Sequence, residues 1–206
     1  MISDRKNHWE NIYGTKELNE VSWFQATPTT SLALIEGLQL AEDAAIIDVG
    51  GGDSFLMDNL LEHGFENISV VDISRLALDR AQKRLGEERA AKITWLEGDI
   101  ASFTPPAQYD CWHDRAAFHF LVEDSDIQHY VDTVSTHIKP GGFLIMATFA
   151  EDGPLKCSGV PIQQYSEKGL ADLFSAHFEL QNSMAITHVT PFETEQRFVF
   201  VVMQKK

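Results

Sequence analysis

The chain is poor in cysteine, in basic residues and in long apolar runs. Its 206 residues include two cysteines, Cys111 and Cys157, so a disulfide framework is not expected and a reducing compartment is. Lys and Arg number 16 against 31 Asp and Glu, and the net charge of -15 disfavours unspecific attraction to nucleic-acid phosphates and anionic membranes. No stretch approaches the roughly 18 apolar residues of a membrane span, and the polar residues 1–6 are unlike a secretory signal. We therefore expect a cytoplasmic protein without a nucleic-acid or membrane partner.

The chain does contain a regular alternation of strand and helix patterns. Predicted strands after the first glycine-rich segment are 68–71, 93–96, 109–113, 143–149, 178–187 and 197–203, and predicted helices are 54–63, 74–86, 124–138 and 166–176. Apolar runs without alternation indicate strands that are buried on both faces, as in a parallel sheet covered by helices. The predicted fold is therefore a doubly wound α/β sheet with helices on both faces. The length suits one domain over 1–206, with an N-terminal helical segment 1–40 and a core 44–206.

Three consecutive glycines, Gly50 to Gly52, follow an apolar strand and precede a predicted helix. Glycine lets the backbone turn tightly and lets a ligand approach, and the unpaired N–H groups of a helix start are electropositive. This arrangement predicts a site for a nucleotide-like cofactor. The dinucleotide fingerprint requires a glycine at the sixth position counted from Gly50, where this chain has Phe55. An NAD-dependent Rossmann oxidoreductase is therefore the less favoured alternative.

The segment Asp48-x-Gly50-x-Gly52 resembles motif I of class I S-adenosylmethionine (SAM) dependent methyltransferases, in which an acidic residue precedes the glycines. Ser54 stands where the longer form of that motif has a further glycine. The resemblance implies SAM as cofactor and S-adenosylhomocysteine as product. It also implies a Rossmann-like sheet of seven strands in which the last two predicted strands form a hairpin and the C-terminal strand is antiparallel.

Acidic residues follow several predicted strands, and ligands of a doubly wound sheet bind outside the carboxyl ends of its strands. Asp72 resembles the motif II position whose carboxylate holds the ribose hydroxyls, and Asp99 resembles the motif III position that accepts the adenine amino group. Asp is also common at strand ends and helix caps in any fold. The cofactor-binding residues implied by the resemblance in these three motifs are Asp48, Gly50, Gly51, Gly52, Ser54, Asp72, Ile73, Asp99 and Ile100.

The segment 109–121 is the most distinctive in composition, because it places two histidines, an acid and an arginine near one strand end. In the resembled family this region borders both SAM and substrate, which implies that Asp114 and Arg115 contact the cofactor. His119 and Asp114 are the candidate general bases, since a group that titrates near neutral pH suits proton removal. The alternative for His119 is a structural histidine that is hydrogen-bonded within an aromatic core.

Two segments are candidate lids. Residues 8–13 and 21–25 resemble the N-terminal region of a bacterial subgroup with a His-Trp helix, in which the segment folds over the cofactor. Tyr13 and Trp23 are then expected on the substrate side together with His119, because aromatic faces attract a sulfonium; the alternative is that the Trp side chains only dock this segment onto the core. The loop 150–161 is the second candidate. Its Cys157 is either a thiol activated by the neighbouring Lys156 or a structural cysteine.

The resemblance implies transfer of the SAM methyl group to a small-molecule or protein nucleophile. A SAM-binding module without turnover is a further alternative. The sequence offers no compact spacing of metal ligands, so no metal is expected. The identity of the acceptor and the choice between monomer and homodimer stay open.

Overall fold

The computed structural model describes residues 2–206, with side-chain surroundings from residue 4 onward. Two short 3-10 turns, Leu18–Glu20 and Phe118–Phe120, supplement the regular elements. The helices are α1 Ile2–Thr15, α2 Thr29–Gly37, α3 Leu56–Glu62, α4 Arg75–Leu85, α5 Glu87–Ala90, α6 Asp124–His137 and α7 Glu167–Phe174. The strands are β1 Ile46–Val49, β2 Ile68–Asp72, β3 Ile93–Glu97, β4 Tyr109–Arg115, β5 Ile138–Phe149, β6 Lys156–Cys157, β7 Val160–Pro161, β8 Phe178–Val189 and β9 Glu195–Lys205.

The main sheet has seven strands in the order β3-β2-β1-β4-β5-β9-β8. Strands β1 to β5 pair in parallel, whereas β9 is antiparallel to both β5 and β8. The predicted fold class, the seven strands and the antiparallel C-terminal strand are confirmed. Strand order reverses between β1 and β4, where Asp48 and His113 are direct partners in the register. This switch point is where doubly wound sheets bind ligands.

Buried apolar side chains cover both faces of the sheet. Alternate residues of the central strands point to opposite sides, so Ile47 and Val71 join one cluster while Ile46 and Val70 join the other. The first cluster includes side chains from α6 and α7, and the second includes side chains from α2, α3 and α4. Helices therefore lie on both faces, which explains why the parallel strands are continuously apolar in sequence.

One predicted boundary differs substantially from the structure. The segment 139–142, between the predicted helix 124–138 and the predicted strand 143–149, belongs to β5, which begins at Ile138. Ile138 pairs with Tyr109, and the register then shifts before Cys111 pairs with Phe143. Gly141 adopts a positive φ of 75° in this irregular stretch, a conformation that glycine accepts without a Cβ penalty. The glycines therefore form a bulged strand start rather than a free loop.

Helix α1 lies beside α4 and crosses the edge of the sheet where β1 to β4 end. Glu10 on α1 accepts hydrogen bonds from the backbone N–H groups of Arg75 and Leu76 at 2.8 and 3.3 Å, so it occupies the start of α4. Arg80 on α4 donates in return to the carbonyls of Tyr13 and Lys16. Among residues 2–206, no helix is long and apolar enough to cross a membrane.

Candidate active site

The glycine loop after β1 has a backbone conformation and close contacts that a residue with a Cβ would not tolerate. Gly50 and Gly52 have φ values of 66° and 50°, in the left-handed region. A Cβ at Gly50 would lie 2.4 Å from the Cβ of Ala117, and a Cβ at Gly51 would lie 2.5 Å from an oxygen of Asp48. The loop therefore packs without spare room against its surroundings. Such a cradle fits the close approach of a nucleotide cofactor.

Asp72, the last residue of β2, lines a cavity of about 110 Å³. One of its carboxylate oxygens accepts a hydrogen bond from the backbone N–H of Ser74 at 2.8 Å. Burial raises the pKa of Asp72 to about 7, although the backbone N–H groups of Ser74 and Gly52 act in the opposite direction. Ile73 lines the same cavity. We call this space the β2–β3 cavity.

Asp99 follows β3 and also lines the β2–β3 cavity, together with Ile100. Its Oδ1 accepts a hydrogen bond from the backbone N–H of Ala101 at 3.0 Å and lies 3.6 Å from a guanidinium nitrogen of Arg5. Its Oδ2 is buried and has no hydrogen-bond partner in the part of the chain that the structure describes. A buried acceptor without a donor is costly, so Asp99 fits a ligand that brings an N–H group such as the adenine amino group.

A second cavity, of about 60 Å³, lies at the ends of β1 and β4 and is lined by Asp48, Gly50, Gly51 and Ser54. We call it the β1–β4 cavity. Oδ1 of Asp48 lies 2.7 Å from Nδ1 of His113, and Nε2 of His113 lies 2.8 Å from the hydroxyl of Ser31. All three side chains are buried and line this cavity. The Ser54 hydroxyl is 3.5 Å from the other oxygen of Asp48.

Arg115 ends β4 and lines both cavities. Its Nη1 donates to the carbonyl of Trp23 at 3.1 Å, and its guanidinium lies 5.1 Å from the ring centre of Phe198. Its Nη2 is buried without a partner among residues 4–206. Burial lowers the pKa of Arg115 to about 10, so the side chain stays protonated at neutral pH.

The structure does not bring Asp114 to either cavity. Its carboxylate is fully buried and accepts hydrogen bonds from the Tyr130 hydroxyl at 2.6 Å and from the backbone N–H groups of Ala117 and Phe118 at 2.9 and 3.1 Å. Burial raises its pKa to about 6, and these hydrogen bonds oppose that rise. Ala116, in the turn that Asp114 holds, has a φ of 70°. Asp114 therefore stabilises a strained turn, and the geometry gives it no contact with a cofactor or an acceptor.

His119 is also kept away from both cavities. Its ring is fully buried between Phe120 and Phe149, with centroid distances of 4.6 and 4.8 Å, and its Nδ1 accepts from the backbone N–H of Phe149 at 3.4 Å. Burial and the nearby charge of Arg115 lower its pKa to about 3. The imidazole is therefore neutral and shielded from an acceptor, which matches the structural alternative rather than the general base.

Aromatic side chains of the N-terminal segment cover the site. Tyr13 and Trp23 line both cavities, and Trp9 lines the β2–β3 cavity. The Trp23 ring centre lies 5.9 Å from that of Trp9 and 6.3 Å from that of Tyr13. Cys157 lines the same cavity from the β6–β7 hairpin. Burial raises its pKa to about 11, which matches the alternative of a structural cysteine rather than that of a thiol activated by Lys156.

The sequence alone gave no specific role to His113, Ser31 or Arg5, and it placed Trp9 in the candidate lid segment 8–13. His113 was visible as a polar residue at a strand end, but its partner Ser31 is 82 positions away in the chain, so no spacing pattern links the two. Arg5 reaches Asp99 because α1 crosses the sheet edge. These contacts depend on tertiary packing alone.

Comparison with known proteins agrees with this site. Residues 46–142 match a family described as a methyltransferase domain. The chain is 25% identical over 189 residues to EEF1A lysine methyltransferase 2 of Danio rerio, covering 85% of this chain and 75% of that protein. A structure concerned with the conversion of a disulfide bond into a thioacetal group during echinomycin biosynthesis has a TM-score of 0.79, 15% identity, and coverage of 98% and 93%. The N-methyltransferase NodS of Bradyrhizobium japonicum, in complex with S-adenosylhomocysteine, has a TM-score of 0.70, 14% identity, and coverage of 97% and 98%.

The sheet order and the glycine loop are typical of α/β proteins that bind a nucleotide-like cofactor at the strand switch point. The match to the methyltransferase-domain family over residues 46–142 and the fold together support a class I SAM-dependent methyltransferase. It is an enzyme that uses SAM as methyl donor and releases S-adenosylhomocysteine. The closer resemblance to a bacterial subgroup with a His-Trp helix stays a prediction.

Proposed function

We propose that this methyltransferase acts on a small-molecule nucleophile and holds SAM across both cavities. The adenosine part would occupy the β2–β3 cavity. The Asp72 carboxylate would accept hydrogen bonds from the ribose hydroxyls, and Asp99 would accept a hydrogen bond from the adenine amino group. Ile73 and Ile100 would border the ring. The observation that carries the proposal is that Asp99 keeps a buried oxygen without a partner, among residues 4–206, in the same cavity as Asp72.

The amino-acid tail of SAM is proposed to lie in the β1–β4 cavity. The backbone of Gly50 to Gly52 and the side chain of Ser54 would border it. Asp48 would accept a hydrogen bond from its ammonium group. Arg115 would lie at the methionine end, because it lines both cavities. This placement puts the methyl group between the two cavities.

The surroundings of that position support a small acceptor. Trp9, Trp23, Phe120 and Cys157 line this end, and α1 covers it. An enclosed apolar wall suits a small molecule better than a polypeptide segment, which needs an open groove. A lysine side chain of a protein is the second candidate, supported by the relative named EEF1A lysine methyltransferase 2.

When bound, SAM supplies a methyl group activated by the positive sulfur. The residues that line the two cavities would position it, exclude water and hold the acceptor in line with the breaking bond. Positioning and desolvation of the two reactants supply most of the acceleration of such a displacement. We propose that 1–40 acts as the lid over a core formed by 44–206. The contacts of Glu10 and Arg80 between α1 and α4 support this division.

A cytoplasmic site of action is proposed because Cys111 and Cys157 are both buried free thiols, which suits a reducing compartment.

The proposal is tested by following labelled methyl from SAM after incubation of the protein with an extract of cells that produce it. The small-molecule fraction should gain label, and Asp72→Ala should abolish the gain. Label recovered in protein lysines instead would favour the second candidate. Label in neither fraction, despite tight binding of S-adenosylhomocysteine, would indicate the module without turnover.

A further inference from the structure

The acceptor end of the β2–β3 cavity has an unusual composition for a site of proton removal. The cavity lining includes Trp9, Trp23, Phe120, Leu121 and Cys157, and its charged side chains are Arg115, Arg5, Asp72 and Asp99. In the proposed placement of SAM, the two carboxylates bind adenosine, and Arg115 is the charged group left for the acceptor. The chemistry of the acceptor has to be compatible with this wall.

No free base faces this end within the part of the chain that the structure describes. Tyr13 and Cys157 are weak acids whose pKa values are raised by burial, and His113 has both ring nitrogens engaged by Asp48 and Ser31. The other acids that line the two cavities are Asp48, Asp53, Asp72 and Asp99. Asp53 is paired with Arg80, and Asp99 contacts Arg5. In the proposed placement of SAM, Asp48, Asp72 and Asp99 are engaged by the cofactor.

The guanidinium of Arg115 differs from the other cations near the site. Arg5 forms a 2.6 Å ion pair with Asp126, and Arg80 lies 3.1 Å from Asp53. Nη2 of Arg115 has no partner among the described residues, although it is buried. A buried guanidinium nitrogen without an acceptor is costly, so the site gains free energy when an anion enters.

We propose that the acceptor is a small apolar acid, a thiol or phenol, that binds as its anion beside Arg115 and attacks without a base from the protein. This inference rests on the proposed function, because it assigns the acceptor of the same site. The proton leaves the acceptor for solvent before or during binding. The S or O anion then forms a bond to the methyl carbon, the bond from carbon to the cofactor sulfur breaks, and its electron pair neutralises the sulfonium.

The apolar wall favours such a reaction over methylation of an amine. An anion and a sulfonium react to give two neutral products, so charge disappears from a low-dielectric space. A neutral amine would instead acquire the positive charge, beside Arg115 and without an acceptor for the proton that it must lose. Within residues 4–206, the buried Nη2 of Arg115 has no acceptor and no free base faces it, and both observations point to the same class of acceptor.

The experiment uses 4-nitrophenol, whose anion is yellow and which titrates near neutral pH, as a probe with protein saturated with S-adenosylhomocysteine. Saturation is first verified by calorimetry, because failure of the wild type to bind S-adenosylhomocysteine would reject the proposed function instead. Absorbance of the anion is then measured against pH. We expect the titration midpoint of the bound probe to lie about one pH unit below that of the free probe, which corresponds to a roughly tenfold preference for the anion.

Arg115→Gln should remove this shift, and Arg115→Lys should keep part of it, because lysine retains the charge but not the planar fork. Arg197→Gln removes a matched charge from the exposed surface and should leave the shift unchanged. A probe that does not bind, a midpoint that rises in the wild type, or an unchanged shift in Arg115→Gln would overturn the inference.

A last measurement distinguishes two possible partners of Arg115, the acceptor anion and the carboxylate of the cofactor itself. S-Adenosylhomocysteine carries that carboxylate, and 5′-methylthioadenosine lacks the amino-acid tail. Arg115→Gln should change the affinities for the two ligands by similar factors. A loss above about tenfold, or ~1.4 kcal/mol, that is confined to S-adenosylhomocysteine would assign Arg115 to the cofactor and reject the acceptor site.

Discussion

Asp48 and His113 are register partners on β1 and β4, and their side chains meet at 2.7 Å between Oδ1 and Nδ1. Because a carboxylate only accepts hydrogen bonds, an ionised Asp48 fixes the proton of His113 on Nδ1, and Nε2 then accepts from Ser31. The order of groups is that of a serine hydrolase triad, but Ser31 is 1% exposed within the first turns of α2. The chain of hydrogen bonds therefore orients Asp48.

His113→Phe should weaken binding of S-adenosylhomocysteine by roughly tenfold, because Asp48 loses the donor that orients it; a hydrogen bond to a charged group contributes about 1.5–3 kcal/mol. Binding of 5′-methylthioadenosine, which lacks the ammonium group, should change little. Ser31→Ala should have a smaller effect in the same direction. Calorimetry with both ligands measures the difference, and equal losses for both would show that His113 only supports the fold.

Asp72 should make cofactor binding and ligand-free stability respond to pH in opposite ways. Its pKa in the fold is about 7, against an ordinary value of 3.8, so between these values the folded protein holds a proton that the unfolded chain has released. Stability from this group is therefore lost as pH rises towards 7. Asp72→Asn should raise the ligand-free melting temperature at pH 8 more than at pH 5.

The same carboxylate must be ionised to accept both ribose hydroxyls. Affinity for S-adenosylhomocysteine should therefore fall as pH drops below about 7, and Asp72→Asn should bind about 10–100-fold more weakly at pH 8. Asp79→Asn, on the exposed side of α4, is the control. A wild-type affinity that does not vary between pH 5 and 8 would contradict the assignment of Asp72.

Gly50→Ala should impair the site through the backbone. A Cβ there would meet the Cβ of Ala117 at 2.4 Å, and φ is 66°, so we expect a loss of stability of roughly 1–3 kcal/mol and weaker cofactor binding. Gly37→Ala is the matched control, because nothing lies within 4 Å of its Cβ and Gly37 ends a helix. Thermal unfolding compares the two, and equal melting temperatures would contradict the clash.

His119 should make the fold sensitive to acid rather than supply a base. The ring has a pKa of about 3 in the fold and 6.5 ordinarily, so below pH 6.5 the unfolded chain binds a proton that the folded protein does not. Stability is lost through this window by at most about 1.4 kcal/mol per pH unit. Urea unfolding at pH 7 and 5 should show less acid sensitivity in His119→Asn than in His129→Asn, a substitution of an exposed histidine on α6. Indistinguishable sensitivities would reject this account.

Local patterns predicted the fold well because each strand of a parallel sheet is a continuous apolar run. The helix end at Gly86 followed from a glycine signal, whereas the hairpin of β8 and β9 followed from the resemblance to the methyltransferase family. The bulged start of β5 was missed, since Pro140 and two glycines indicate a turn unless the pairing of Ile138 with Tyr109 is known. Long-range pairing overrode the local signal there.

The site was predictable where a motif places residues at strand ends and unpredictable where packing decides. Asp72 and Asp99 face one cavity as the order of strands implied. Asp114 and His119 have the chemistry of bases, but they are buried against Tyr130 and Phe149. No local sequence pattern predicts either contact. The contact of Ser31 with His113 likewise requires that α2 pack on the sheet.

Calorimetric titration decides whether the ends of β1 and β2 hold SAM or its product. The wild type should bind one equivalent of S-adenosylhomocysteine with measurable heat, Asp72→Ala should bind it far more weakly, and NAD should give no heat. Binding of NAD without binding of S-adenosylhomocysteine would contradict the account.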